Sequence, residues 1–433
     1  TILTVLPFLG YGRQAFAGCD PNPAAPAFVC SGASGAQSIN FTDAYLTTEP
    51  GFNVTAGGGA NGITITGDGH LRYIDNNASP VTSATATGIY VRAGGAATIS
   101  TGGAITGGSN GIYVRNDGLG AVSVTADGAV TGQSGDGIYA VNYGVDLTII
   151  TGAGSVIEGG AKNGINALNS GAGKLDITAN GEVTGAVDGI HAFNSVDGTD
   201  VVLATGVGSA IEGGNNGIHA ENQGHGKLEI TVNGSVEGGA IDGIYARNYR
   251  GGDLVITANA GSDIKGADEG IDAVNQGSGE LRVTADGKVT GTQDDGLHAF
   301  NSGAGTNVKI TTGAESEITG GNTGIFADNF GAGDLDIKAY GKVTGEGGAG
   351  IYARNSYGSD NGLNLNITTG ARSVITGSQY GIRAKSYGNG DLIITADGKV
   401  TGEGEDGIFA HAYYGNGLTV TTGAASDISG LDD

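Results

Sequence analysis

Thirteen times along the chain a short segment opens on Gly followed by Ile or Leu, at near-constant spacing. The copies begin at Gly88, Gly111, Gly137, Gly164, Gly189, Gly217, Gly243, Gly270, Gly296, Gly324, Gly350, Gly381 and Gly407, and the hexapeptide GIYARN stands unchanged at 243 and again at 350. The mean step is about 26.6 residues, a period that belongs to solenoids. A longer period lies on top. ADGAVTG at 126, ANGEVTG at 179, VNGSVEG at 232, ADGKVTG at 285, AYGKVTG at 339 and ADGKVTG at 396 are 53 to 57 residues apart, so the duplicated unit is a pair of coils.

Each period holds three short pieces of alternating apolar character: G-I-x-A-x-N, one like GDLVIT and one like GKVTG. Gly, Asn and Asp separate them and supply the turns. None of the pieces has helical periodicity. Three strands in about 26 residues predict one coil of an all-β parallel β-helix, and thirteen coils stacked at about 4.8 Å give a rod of roughly 60 Å. In such a rod each residue sits above its counterpart. Ile244 and Ala246 are expected to point inward and stack on Ile271 and Ala273, with Leu254, Ile256, Ile264 and Val289 closing the other walls. The Asn that ends the first strand recurs at Asn116, Asn142, Asn169, Asn194, Asn222, Asn248, Asn275, Asn301, Asn329 and Asn355. A column of amides at a turn can chain hydrogen bonds from coil to coil and satisfy buried backbone, which is a structural task.

Composition narrows the class. Gly accounts for 87 of 433 residues, but the strict triplet and the Pro content of collagen are missing, with only 6 Pro. The formal net charge of −24 disfavours nucleic acid and anionic membrane as partners. Residues 1–17, apolar and ending in Ala15-Phe16-Ala17, read as the remnant of a signal peptide. Residues 18–58 form an N-terminal cap and 59–433 the β-helix, truncated at its C-terminus. Cys19 and Cys30 are the two cysteines, and in an exported chain they pair most simply as one disulfide. The competing reading makes FAGC a lipoprotein box with Cys19 acylated.

Candidate binding residues lie at the third position of the repeat, between the inward ones. They read Tyr90, Tyr113, Tyr139, Asn166, His191, His219, Tyr245, Asp272, His298, Phe326, Tyr352, Arg383 and Phe409. An outward column rich in rings suits stacking on sugars or on a partner protein, or simply ring-on-ring packing along the ladder. The histidines in it lack converging further ligands, so no metal or other cofactor is expected there. A second column, Asp188, Asp242, Glu269, Asp295 and Asp406, precedes the anchor Gly. It is densest around Asp242, Glu269 and Asp295, where a Ca²⁺ ion is conceivable, although Asp-Gly and Asn-Gly are also ordinary turn signals. No nucleophile–base set, phosphate loop or zinc signature stands out, and no catalytic residue is assigned.

A signal-like start, the early GCDPNPAAPAFVCSG and Gly-, Thr- and Asn-rich coils together resemble the passenger domain of a bacterial autotransporter. That resemblance implies a non-enzymatic rod, an adhesin or spacer, exported to the surface or outer membrane of a Gram-negative bacterium or secreted. It implies host-cell or matrix glycans or proteins as partners. It also implies a C-terminal membrane barrel, which this sequence does not contain, so the chain reads as a fragment. The alternative from another class is a β-helical polysaccharide lyase or hydrolase, and a third is a purely structural filament.

Overall fold

A computed structural model describes residues 18–21, 26–355 and 363–431, so the leader read at 1–17 lies outside the described residues. Three parallel sheets of 15, 16 and 17 strands run the length of the rod. Ile244–Asn248 belongs to the first sheet, Leu254–Ala258 to the second and Asp263–Gly266 to the third. Each strand pairs with its equivalent one coil away. The register is the one the repeat demands: Ile244 opposite Ile271, Ala246 opposite Ala273, Asn248 opposite Asn275. The fold is a parallel β-helix, and among the described residues there is no α-helix.

Alternation decides what is buried. Ile244, Ala246, Leu254, Ile256 and Ile264 are fully buried, while Tyr245 and Arg247 between them face outward. One coil has no opposite layer of its own to cover these side chains, so burial comes from the coils above and below. Close stacking also explains the anchor glycine. A Cβ on Gly243 would stand 2.6 Å from the Gly270 carbonyl oxygen and 2.7 Å from Ile264 Cγ2, closer than any side chain tolerates.

Fifteen turns are present rather than thirteen. Gln37–Asn40 and Ile63–Gly67 pair in parallel with each other, and the second then pairs with Ile89–Ala93. The stacked turns therefore reach upstream of residue 59, into the span read from sequence as an N-terminal cap. There the interior is filled by larger groups, with Leu46, Phe52 and Tyr73 buried, and the first strand carries Ile65 where later coils carry Ala. At the very start, Gly18–Pro21 pairs antiparallel with Ala27–Ser31, and the Cys19–Cys30 disulfide crosses that hairpin. Cys19 is therefore engaged, against the acylated alternative.

The asparagine column is a hydrogen-bonded ladder. Nδ2 of Asn116 donates to Oδ1 of Asn142 at 2.9 Å, Asn142 to Asn169 at 3.1 Å, Asn169 to Asn194 at 2.9 Å and Asn194 to Asn222 at 3.1 Å. The ladder then breaks and restarts at Asn248, running through Asn275 and Asn301 to Asn329, with Asn355 beyond a second break. Each Nδ2 in the ladder also donates to a backbone carbonyl of its own turn, as Asn169 does to Gly173 at 3.0 Å. At the breaks the buried Oδ1 of Asn248 and of Asn355 has no donor among the described residues.

The two-coil period has a physical origin in the turn after the second sheet. In alternate coils a buried Thr accepts the backbone N–H of the next coil: Asn180 to Thr151 and Asn233 to Thr205, at 3.1 and 3.0 Å, and Tyr340 to Thr312 at 3.1 Å. The same coils carry a Ser, such as Ser209, that bonds back to its own turn at Gly206. The coil above must leave room for it. A Cβ on Gly234 would lie 2.5 Å from Ser209 Oγ, which is why ANG, VNG and ADG alternate with the Ser-bearing turns.

Candidate functional site

The three outer faces differ in chemistry. From residue 97 onward, the outward strand positions of the second and third sheets carry Thr, Ser, aliphatic and charged residues and no aromatic ring. The first sheet carries the rings. Tyr90, Tyr113, Tyr139, His191, His219, Tyr245, His298, Phe326, Tyr352 and Phe409 all lie half-buried on it, at the same position in ten of the thirteen coils from Gly88 onward.

They stack on one another in runs. Tyr90 and Tyr113 lie parallel with centroids 5.1 Å apart, and Tyr139 follows at 5.2 Å, edge-on. His191, His219 and Tyr245 follow at 4.9 and 4.8 Å. His298, Phe326 and Tyr352 follow at 5.3 and 5.1 Å. Asn166 and Asp272 separate these runs, and Arg383 bridges the last one to Phe409 with its guanidinium 5.1 Å from the Tyr352 ring and 5.9 Å from the Phe409 ring. Ring-on-ring packing is thus realised, and each ring still keeps part of its surface on the outside.

Two of the column's histidines, His219 and His298, are held by carboxylates, and His191 Nδ1 lies 3.2 Å from the side-chain oxygen of Asn166. His219 lies 3.2 Å from Glu221 and 3.6 Å from Asp188, the second an ion-pair distance too long for a good hydrogen bond. Burial works against charge on His219, but these two carboxylates prevail and push it up to about 9. His191 moves the other way, lowered by burial and by the charge on His219. His298 bonds Asp272 at 2.8 Å, and although burial opposes it, that contact raises the imidazole. The two nitrogens of His219 point to different carboxylates, Nδ1 to Asp188 and Nε2 to Glu221.

The column before the anchor Gly does structural work. A side-chain oxygen there accepts the backbone N–H of its counterpart one coil on: Asn110 from Asp136, Asp136 from Asn163, Asn163 from Asp188, Asp188 from Asn216, Asn216 from Asp242, Asp242 from Glu269, at 2.9 to 3.2 Å. Asp136 is a member that sequence reading missed. Its place just before Gly137 was the available signal.

At its centre the column becomes crowded with acid. Carboxylate oxygens of Asp242, Asp268 and Glu269 fall within 4.8 Å of one another, with Asp242 only 2 % exposed. Burial, and then the neighbouring carboxylate, pushes Glu269 up to about 9, and burial pushes Asp242 up to about 6. Asp295, 6 % exposed, is also raised, first by burial and next by Asp294. These oxygens are the right type for Ca²⁺. Elsewhere, an open hollow of about 610 Å³ lies beside Phe41, Asp68, Arg92 and Asp117, the last two already paired at 2.7 Å.

Comparison with known proteins gives no match to a family model, a curated protein or a solved structure.

Proposed function

We propose that the chain is an extracellular or cell-surface rod, the passenger part of an autotransporter-like protein, and that it works by contact, as adhesin or spacer. One observation carries the reading: from residue 97 onward, aromatic and imidazole rings at outward strand positions are confined to one of the three faces. Interior packing does not require them there, since the inward residues are the same kind in all three sheets. A row of half-exposed rings, present on most coils, suits weak contacts multiplied along a rod. Host-cell or matrix glycans or proteins are the partners such a row fits. Export to the surface of a Gram-negative bacterium, with a C-terminal barrel in the outer membrane, belongs to the same reading.

The test is an array of glycans and matrix proteins probed with the wild-type rod. Beside it runs a variant in which Tyr90, Tyr113, Tyr139, Phe326 and Tyr352 are each replaced by Ser. Binding that falls at least about tenfold in the variant supports the proposal. A rod that binds nothing, or binds equally well without those rings, overturns the adhesin and leaves the spacer.

The enzyme alternative, a polysaccharide lyase or hydrolase, is favoured by one feature, the close Asp242–Glu269 carboxyl pair. Glycoside chemistry needs one carboxyl protonated and another ionised. New reducing ends or unsaturated products from acidic polysaccharides, abolished by Glu269→Gln, would establish it over the contact reading.

A further inference from the structure

Half of the basic residues on the strands of the first sheet are neutralised in place. Arg92 and Arg115 share Asp117, at 2.7 and 2.5 Å. Arg354 is paired with Asp328, its Nε at 2.6 Å from the carboxylate. Arg247 instead stacks on Tyr245 and Tyr249, and the strand Ile382–Ser386 carries two cations of that kind. It places Arg383 and Lys385 side by side on the outer face, and neither has a carboxylate partner among the described residues. Arg354 stands next to Lys385 one coil below. With Arg354 paired to Asp328, Arg383 and Lys385 remain as cations without an ion-pair partner among the described residues, although Glu405 and Asp406 lie near Tyr380 at the edge of the patch.

Rings frame these cations. The Arg383 guanidinium lies 4.9 Å from the Tyr380 ring and 5.1 Å from the Tyr352 ring, and the Lys385 ammonium lies 6.0 Å from Phe409. Arg383 Nε is buried without a hydrogen-bond partner, so stacking rather than an ion pair fixes the guanidinium plane. Glu405, a carboxylate near this group, is engaged by the Tyr380 hydroxyl.

We propose that this patch, Tyr352, Tyr380, Arg383, Lys385 and Phe409, is a subsite for a uronic-acid polysaccharide, an inference that rests on the contact reading above and names its ligand. The carboxylate of one sugar meets the guanidinium fork and the ammonium, and the C–H face of the ring packs on Phe409 or Tyr352. Strand-wise addition of an acidic peptide is disfavoured, because the backbone of Ile382–Ser386 is already paired on both sides, to Ile351–Asn355 and to Ile408–Ala412.

The experiment is calorimetric titration of the whole chain with hexagalacturonate and with its fully methyl-esterified form. It is repeated on R383Q/K385Q and on K288Q/K399Q, which removes the same charge from exposed positions of the third sheet. The free acid should bind, the ester at least about tenfold more weakly, and R383Q/K385Q should lose about tenfold while K288Q/K399Q stays at wild type. Circular dichroism confirms that the variants fold. Absence of binding by the acid, equal binding of acid and ester, or equal losses in the two double variants overturns the subsite. The array with the ring variants reads the broader proposal separately. Neutral glycans that bind there and ignore R383Q/K385Q would keep the contact reading and remove this one.

Discussion

Two stretches of the first sheet share a backbone and an interior and differ outside. From Tyr90 to Tyr139 the face is a tyrosine stack flanked by Arg92, Arg115 and Asp117, with its charges paired in the open. From Asp242 to His298 the turn before the strand gathers Asp242, Glu269 and Asp295, all raised by burial, and Asp272 takes the ring position and bonds His298. Inward, Ile112 and Val114 in one stretch correspond to Ile271 and Ala273 in the other, and all four are buried. The solenoid thus fixes what points in and leaves what points out free to vary from coil to coil. Function, where this chain has one, is written in the second set.

The sharpest break of that comparison is an inward charge beside an outward one. Ile244→Asp should destabilise the rod by about 4 kcal/mol or more, because an unpaired carboxylate would enter a core with no polar partner. Tyr245→Asp, one residue on, should cost far less. Chemical denaturation of both variants checks this, and equal losses would show that the inward assignment is wrong.

Next come the asparagines, which the comparison treats as interior. Asn169 both donates and accepts along the ladder, so Asn169→Ala should cost about 2 to 3 kcal/mol. Asn248, whose Oδ1 is already without a donor, should cost roughly half of that when replaced by Ala. Denaturation midpoints that fail to separate the two would mean that the coil-to-coil amide bonds contribute little.

Much of this was legible in the sequence. The period, the Ile and Ala register and the Asn column followed from the repeated hexapeptide, because a solenoid stacks each residue on its own copy. The two earliest turns were not read, although Gly62-Ile63 opens one of them. There Ile65 stands where most later coils have Ala, beside the buried Phe52 and Tyr73, and Gly67 stands in place of Asn because a Cβ there would lie 2.0 Å from the Phe41 carbonyl oxygen. The breaks in the Asn ladder and the close approach of the Asp242 and Glu269 carboxylates were illegible for another reason. They depend on side-chain rotamers and on separations of a few tenths of an ångström between coils. The two-coil period was visible as a count, but its cause, a Thr hydroxyl accepting the N–H of the next coil, needs the turn geometry.

The acidic stretch should lose stability as pH rises. Glu269, pushed up to about 9 by burial and by Asp242, binds its proton more tightly folded than unfolded. Its contribution is therefore complete below the ordinary glutamate range and fades as pH climbs through about 9. Glu269→Gln should match wild type near pH 5 and exceed it near pH 9, by about 1 kcal/mol once solvent screening is allowed for. Thermal melts across that window give the answer. A variant curve parallel to wild type would mean that the two carboxyls ionise independently.

The open stretch should behave oppositely and more weakly. Burial works against ionised Asp117, but the hydrogen bonds from Arg92 and Arg115 lower it below the usual carboxylate range. Its stabilisation is present above the unfolded aspartate pKa and disappears as pH falls through the lower folded value. Asp117→Asn should therefore differ from wild type at neutral pH and converge with it in acid, the reverse of Glu269→Gln. Because the arginines are solvated, the difference should be the smallest of the series and should shrink as salt is added. Melting temperatures at low and high ionic strength test both points. If the gap survives high salt undiminished, then the Arg92–Asp117–Arg115 group is not a screened surface cluster, and the tyrosine stack beside it is held more tightly than its exposure implies.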